Sequence, residues 1–229
     1  MPMISYPDLI IFDCDGVLVD SEVLASRVVS ETLGEYGINI SAQAVAEKFA
    51  GFTDEAIRDH FRLATSVELP EDFAQIVEET TIAYIPDELK TLPFIKETLS
   101  SLGYNYCVAS NSRTDRLNSA LDSTGLMDYF PKERRFSSSM VTHPKPAPDL
   151  HLLTCSKMDV SPEQALVIED TPTGVSAAVG AGISVFGFIG AGHISDPKAQ
   201  SLKLIEAGAI AVFDDMRQLN NMLRDGSAA

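Results

Sequence analysis

The sequence predicts an α/β fold, a parallel sheet covered by helices on both faces, with an all-helical segment inserted early in the chain. Three observations carry this prediction. Short apolar runs rich in β-branched or aromatic residues occur at 9–12, 104–109, 165–168, 184–189 and 209–213, and each ends in polar residues. The runs are apolar nearly throughout, as in strands buried on both faces, whereas a half-exposed antiparallel strand alternates. Helix-like segments separate them, which is the alternation that crossover connections produce.

The interval between the first two runs is too long for one crossover helix and holds no convincing strand. Residues 21–36 place Ala25, Val28, Val29, Thr32, Leu33 and Tyr36 on one helical face, ended by Gly37. Ser41 can cap a second helix that stops near Gly51, and Thr53 can cap a third that carries Ile57 and Phe61. Residues 71–85 read as a fourth, closed by Pro86. The expected division is therefore a helical segment at 20–88 and an α/β core formed by 1–19 and 89–229. Leu92-Pro93 then starts a helix running to Leu102, with Gly103 as its stop. No internal repeat or low-complexity segment is visible.

At 229 residues and 45% hydrophobic content, the chain can fill the interior of one large domain or of a core plus a smaller one. Its 33 acidic against 17 basic side chains give a net charge of −16, whose field repels polyanions. Nucleic acid and anionic membranes are thereby excluded as principal partners. The start lacks a basic, apolar leader, and no run approaches the ~20 apolar residues of a membrane-spanning helix, so a cytoplasmic protein is expected, a monomer or weak homodimer. Cys14, Cys107 and Cys155 are odd in number and form no CxxC, and read as small buried hydrophobes. His60, His143, His151 and His193 show no metal-ligand spacing, so any metal chemistry must come from carboxylates.

Four polar segments follow predicted strands or a stiffened loop: Asp13-Cys14-Asp15-Gly16, Ser110-Asn111-Ser112, Lys145-Pro146 and Glu169-Asp170. In an open parallel sheet all four can converge at the carboxyl edge, where ligands bind. Two acidic pairs brought together there are unfavourable without a cation, and oxygen-only ligands suit Mg²⁺. Each segment also has a plainer reading. Asp13 and Asp15 can be turn residues helped by Gly16. Glu169-Asp170 can be a strand end before a helix opened by Thr171-Pro172. Ser110 can be a helix cap, a role compatible with holding a phosphate oxygen. Lys145 sits between Pro144 and Pro146, unlike most lysines, which occupy flexible water-facing segments.

Phe12-Asp13-Cys14-Asp15-Gly16-Val17-Leu18-Val19-Asp20-Ser21-Glu22, Val108-Ala109-Ser110-Asn111, Lys145-Pro146-Ala147-Pro148 and Ile168-Glu169-Asp170-Thr171-Pro172-Thr173-Gly174-Val175-Ser176-Ala177-Ala178 resemble the four ordered motifs of the haloacid dehalogenase superfamily. The match covers residues 9–190. It is narrower toward the helical-cap branch of phosphosugar phosphatases, phosphoglycolate phosphatases and β-phosphoglucomutases, whose cap corresponds to 20–88. The resemblance implies a Rossmann-like three-layer α/β/α core and an Mg²⁺-dependent phosphoric monoester hydrolase acting on a small phosphorylated metabolite. In that reading Asp13 is the nucleophile that forms an aspartyl phosphate, and Asp15 is the general acid and base. Ser110 and Lys145 hold the phosphoryl oxygens. Mg²⁺ falls to Asp13, the Asp15 backbone carbonyl and Asp170, with Glu169 direct or through water. Asn111, Gly51, Phe52 and Thr53 are the expected substrate contacts.

A mutase of this branch carries a histidine twelve residues after the nucleophile, where this chain has Ala25, and an arginine in the cap loop, where Gly51-Phe52-Thr53-Asp54 offers an acid. Hydrolysis of a phosphosugar or sugar-acid phosphate such as 6-phosphogluconate is therefore preferred to β-phosphoglucomutase-like transfer. Two other classes fit less well. Gly190-Ala191-Gly192 opens a dinucleotide fingerprint, but Ser195 stands at its third glycine. A noncatalytic phospho-receiver also groups acids, serine and lysine, yet Asp15 and the inserted cap suit turnover.

Overall fold

The computed structural model describes residues 7–49, 53–65 and 67–225. Six strands, β1 (Leu9–Phe12), β2 (Asn105–Ser110), β3 (Arg135–Ser137), β4 (Ala165–Glu169), β5 (Ser184–Phe188) and β6 (Ala211–Phe213), form one sheet in the order β3-β2-β1-β4-β5-β6. Every pairing is parallel, so all the strands end at the same edge. The order reverses direction at β1, between β2 and β4, which opens a crevice beyond the carboxyl ends of these strands.

Side chains of β1 alternate between the two faces. Ile10 and Phe12 join a cluster with Val108, Leu117, Phe130 and Phe186, while Leu9 and Ile11 join one with Leu150, Val175 and Leu204. Both faces are covered, which explains why the strands are apolar throughout. The second face is packed by α7 (Asp149–Met158), α8 (Pro172–Gly180) and α9 (Pro197–Ala207). The first is packed by α5 (Ile95–Ser101) and α6 (Thr114–Ser123), with α10 (Leu219–Asp225) completing that layer. This is the Rossmann-like, three-layer α/β/α arrangement.

Between β1 and α5 come α1 (Ser21–Glu35), α2 (Ala42–Lys48), α3 (Asp54–Ala64) and α4 (Phe73–Glu88). Val28, Leu33, Val45, Ile57, Val77 and Ile85 bury their side chains in the cluster that also covers the first sheet face. Ser41 and Thr53 cap α2 and α3 as expected, accepting from the N–H groups of Ala44 and Ala56. Among the described residues no helix is long and apolar enough to cross a membrane.

Most ends fall within a residue or two of expectation, and the larger departures have local reasons. Pro86 does not close α4, which runs to Glu88. Lying in the last turn, it removes a single intrahelical bond, and the Leu89 N–H still reaches the Ile85 carbonyl. The helix expected from Leu92-Pro93 begins only at Ile95, because Phe94 takes a left-handed conformation with φ 63°. β6 starts at Ala211 because the Ala209 N–H is used on the Leu204 carbonyl to finish α9, with Gly208 at φ 113°. β3 was not expected at all. It is a three-residue edge strand bonded only to β2, too short to show a pattern.

Candidate active site

β1 ends at Phe12, and Asp13 follows it directly, its N–H donated to the Ile168 carbonyl of β4. This backbone bond places the Asp13 carboxylate beside the end of β4, where Glu169 and Asp170 stand. The three acids offer oxygens that all lie within 4.8 Å of one another. Lys145 reaches the same point from the loop before α7, and its Nζ donates to Asp13 Oδ1 at 2.7 Å and to Glu169 Oε1 at 2.9 Å. Asn111 fixes that loop. Its Oδ1 accepts the Lys145 N–H at 2.9 Å and its Nδ2 donates to the Lys145 carbonyl at 3.0 Å. The four segments singled out in the sequence thus meet at one edge of the sheet.

One ammonium faces three buried carboxylates, and the electrostatics follow from that imbalance. Burial pushes Asp13 up to about 8 despite the opposing pull of Lys145, with Glu169 and Asp15 adding to the rise. Burial, then Glu169 and Asp13, drive Asp170 well above the ordinary carboxylate range. Burial alone would lower Lys145, but Asp13 and Glu169 outweigh it and keep the ammonium charged. Asp170 Oδ1 is buried without any hydrogen-bond partner. The space in front of these acids is kept clear by two glycines. A Cβ on Gly16 would come within 2.0 Å of Asp170 Oδ2, and one on Gly174 within 1.6 Å of Glu169 Oε1. An all-oxygen donor set with a surplus of negative charge and an unsatisfied carboxylate oxygen fits a small divalent cation such as Mg²⁺.

Asp15 turns away from this cluster. Its Oδ1 accepts from the Ser21 hydroxyl at 2.6 Å, and its Oδ2 from Ser112 at 2.8 Å and Ser110 at 3.3 Å. Arg116 lies 3.8 Å from Oδ1. Burial opposes ionisation of Asp15, but Arg116 and the hydroxyls of Ser21, Ser112 and Ser110 prevail and hold the carboxyl below its usual range. Ser110 is therefore not a helix cap: Arg113 occupies the N-cap of α6 without a side-chain bond, and the Ser110 hydroxyl accepts from the Ser112 N–H. Cys14, between the two aspartates, points into the core and is 1% exposed.

Thr53 lies at the exposed start of α3 with its hydroxyl used as a cap. Gly51 and Phe52 fall outside the described residues. Sequence reasoning missed Ser21, Ser112 and Arg116 as partners of Asp15. Ser21 lies inside the first quoted motif and Ser112 in the Ser110-Asn111-Ser112 segment, whereas Arg116 gives no signal, since an arginine on an amphipathic helix is ordinary.

The family model for haloacid dehalogenase-like hydrolases matches residues 10–188. The chain belongs to this family. It is 30% identical over 187 residues to the 6-phosphogluconate phosphatase of Escherichia coli, covering 81% of this chain and 84% of that enzyme. Among solved structures, a haloacid dehalogenase-like protein from Agrobacterium tumefaciens superposes with TM-score 0.86 at 35% identity, over 95% of this chain and 98% of its own. A family hydrolase from Deinococcus radiodurans, determined with bound phosphate and sodium, gives 0.82 at 28% identity over 97% of each chain.

Proposed function

We propose that the chain is an Mg²⁺-dependent phosphatase that hydrolyses a small phosphorylated metabolite, a phosphosugar or a sugar-acid phosphate such as 6-phosphogluconate, through an aspartyl phosphate on Asp13. The observation that carries this reading is the buried arrangement of Asp13, Glu169 and Asp170 around the single ammonium of Lys145, with an Asp170 oxygen left unpaired. Asp13, Glu169 and Asp170 are all buried, with Asp13 keeping the largest open surface of the three, 7%.

In this reading Asp13, which the charge of a bound cation together with Lys145 would keep ionised, attacks phosphorus through a carboxylate oxygen, the bond to the leaving oxygen breaks, and water later cleaves the acyl phosphate to regenerate the carboxylate. Lys145, held by Asp13 and Glu169, is placed to take the phosphoryl charge, and Ser110 lies at the same edge to donate to a phosphoryl oxygen. Asp15 serves the leaving oxygen and then the attacking water. Because Arg116 and three hydroxyls favour its ionised form, the base role is ready in the free protein, and the acid role needs a proton brought in with the substrate. Asn111 acts on the substrate through the Lys145 loop. Mg²⁺ would be held by Asp13, Asp170 and the Asp15 backbone carbonyl, and would supply charge neutralisation of the phosphoryl oxygens. Glu169 already engages Oε1 with Lys145 and Oε2 with Thr171, which supports its acting through water. Residues 20–88 are proposed as the cap domain over this edge, with 1–19 and 89–229 as the core.

Phosphate release from sugar phosphates, phosphogluconate, phosphoglycolate and nucleotides, with and without Mg²⁺, tests the reading. Asp13→Asn is expected to abolish turnover with the fold intact. Steady-state activity retained in that variant overturns the assignment of the nucleophile.

A further inference from the structure

Arg116 on α6 ties two regions together. One of its terminal nitrogens lies 3.8 Å from Asp15 Oδ1, and the other donates to Glu78 Oε2 on α4. Its side chain is only 18% exposed, so its charge is poorly screened by water. Two further acids from the helical segment feel its charge, Glu22 in the first turn of α1 and Asp54 at the start of α3. Of the acids on α1, α3 and α4, Glu78 pairs with Arg116 directly, while Glu22 and Asp54 lie near enough to feel its charge. Arg113, the preceding cation of this segment, is paired with Asp115 at 3.6 Å and its side chain is 74% exposed.

If Asp15 protonates the leaving oxygen, the leaving group lies next to Asp15, and so against Arg116 and the acids around it. A guanidinium fork is the natural receptor for a substrate carboxylate. Here the guanidinium charge is balanced by Asp15 and Glu78, its Nε is buried without a partner among the described residues and out of a ligand's reach, and the groups beside it are carboxylates. These accept hydrogen bonds from hydroxyls and repel a further anion. We propose that the Arg116–Glu78 pair determines leaving-group specificity, admitting a neutral, hydroxyl-rich leaving group and rejecting one that bears a carboxylate. The inference rests on the phosphatase reading and narrows it to neutral sugar or polyol phosphates.

The test is a matched pair, glucitol 6-phosphate and 6-phosphogluconate, which share one carbon skeleton and differ at a single terminus, alcohol against carboxylate. With Mg²⁺ present, wild-type kcat/KM is expected to favour the alcohol by ~10-fold or more. Glu78→Gln removes one of the two charges that balance Arg116 and is expected to narrow the ratio several-fold, chiefly through a lower KM for 6-phosphogluconate. Glu78→Asp keeps the charge and is expected to restore the preference. Equal or better turnover of 6-phosphogluconate by the wild type overturns the proposal, and so does a ratio unchanged in Glu78→Gln. Hydrolysis of p-nitrophenyl phosphate with neither sugar compound turned over overturns it while leaving the phosphatase reading standing. No Mg²⁺-dependent release from any of the three overturns both.

Discussion

Replacing Gly174 by alanine puts a methyl group where the Glu169 carboxylate now lies. The added carbon would sit 1.6 Å from Oε1, and since real Cβ contacts essentially never fall below 3.0 Å, the carboxylate must retreat by roughly 1.4 Å. It has little freedom to do so. Oε1 accepts from Lys145 Nζ at 2.9 Å, while Oε2 accepts from the Thr171 N–H at 2.8 Å and the Thr171 hydroxyl at 3.0 Å. A movement of that size breaks at least the Lys145 bond, a charge-assisted contact worth ~1.5–3 kcal/mol. At ~2–4 °C per kcal/mol for a chain of this size, the melting temperature should fall by ~3–12 °C. Lys145 then follows Asp13 alone, and a misplacement of ~1 Å at a reacting centre costs ~10²-fold in rate. Thermal melts together with phosphate release across an Mg²⁺ titration measure both effects. A Gly174→Ala protein within ~3-fold of wild-type kcat/KM, with unchanged Mg²⁺ dependence, would refute the idea that this glycine holds the Glu169–Lys145 geometry in place.

Lys145→Ala leaves Asp13 and Glu169 buried without a cation, and denaturant unfolding of the metal-free protein should show a loss of ~3–5 kcal/mol, part of which added Mg²⁺ recovers. Asp54 predicts a pH effect away from the acidic cluster. Burial, and then Glu55, raise it to about 6, so the folded protein keeps this proton where the unfolded chain has lost it. Stability from this group therefore falls as pH rises from about 4 to about 6. Asp54→Asn should match the wild type in melting temperature at the acid end and exceed it at pH 7; a variant less stable at pH 7 contradicts the assigned cause.

What was legible in the sequence follows from how local each signal is. The buried strands announce themselves by unbroken apolar runs, and their ends located Asp13, Ser110, Glu169 and Asp170 because parallel strands share one carboxyl edge. The stiff Pro144-Lys145-Pro146 segment marked a lysine that is indeed buried. Strand β3 escaped notice because three residues at a sheet edge carry no period. Pro86 misled because its penalty depends on how many intrahelical bonds remain after it, a matter settled by tertiary packing. Arg116 stayed hidden because its importance comes from Glu78, far away in the chain, and from Asp15, farther still. The clearance in front of Glu169 was equally invisible: Gly174 reads as one small residue in a helix until the carboxylate is seen against it.

The position of β1 in the middle of the sheet sets the order in which the chain can fold during synthesis. Its partners are β2 and β4, so Leu9 to Phe12 cannot pair until Asn105 and its neighbours have been made. At ~5–20 residues per second, that interval lasts ~5–20 s on the ribosome. Helices α1 to α4 are completed within it and make local contacts early, while the most apolar strand waits unpaired. The nascent chain therefore presents Leu-Ile-Ile-Phe to its surroundings for the whole of that interval, and the late β4 closes the centre of the sheet only after residue 165 has emerged. Yield on expression should accordingly respond more to chaperone supply and translation rate than to substitutions on the finished surface.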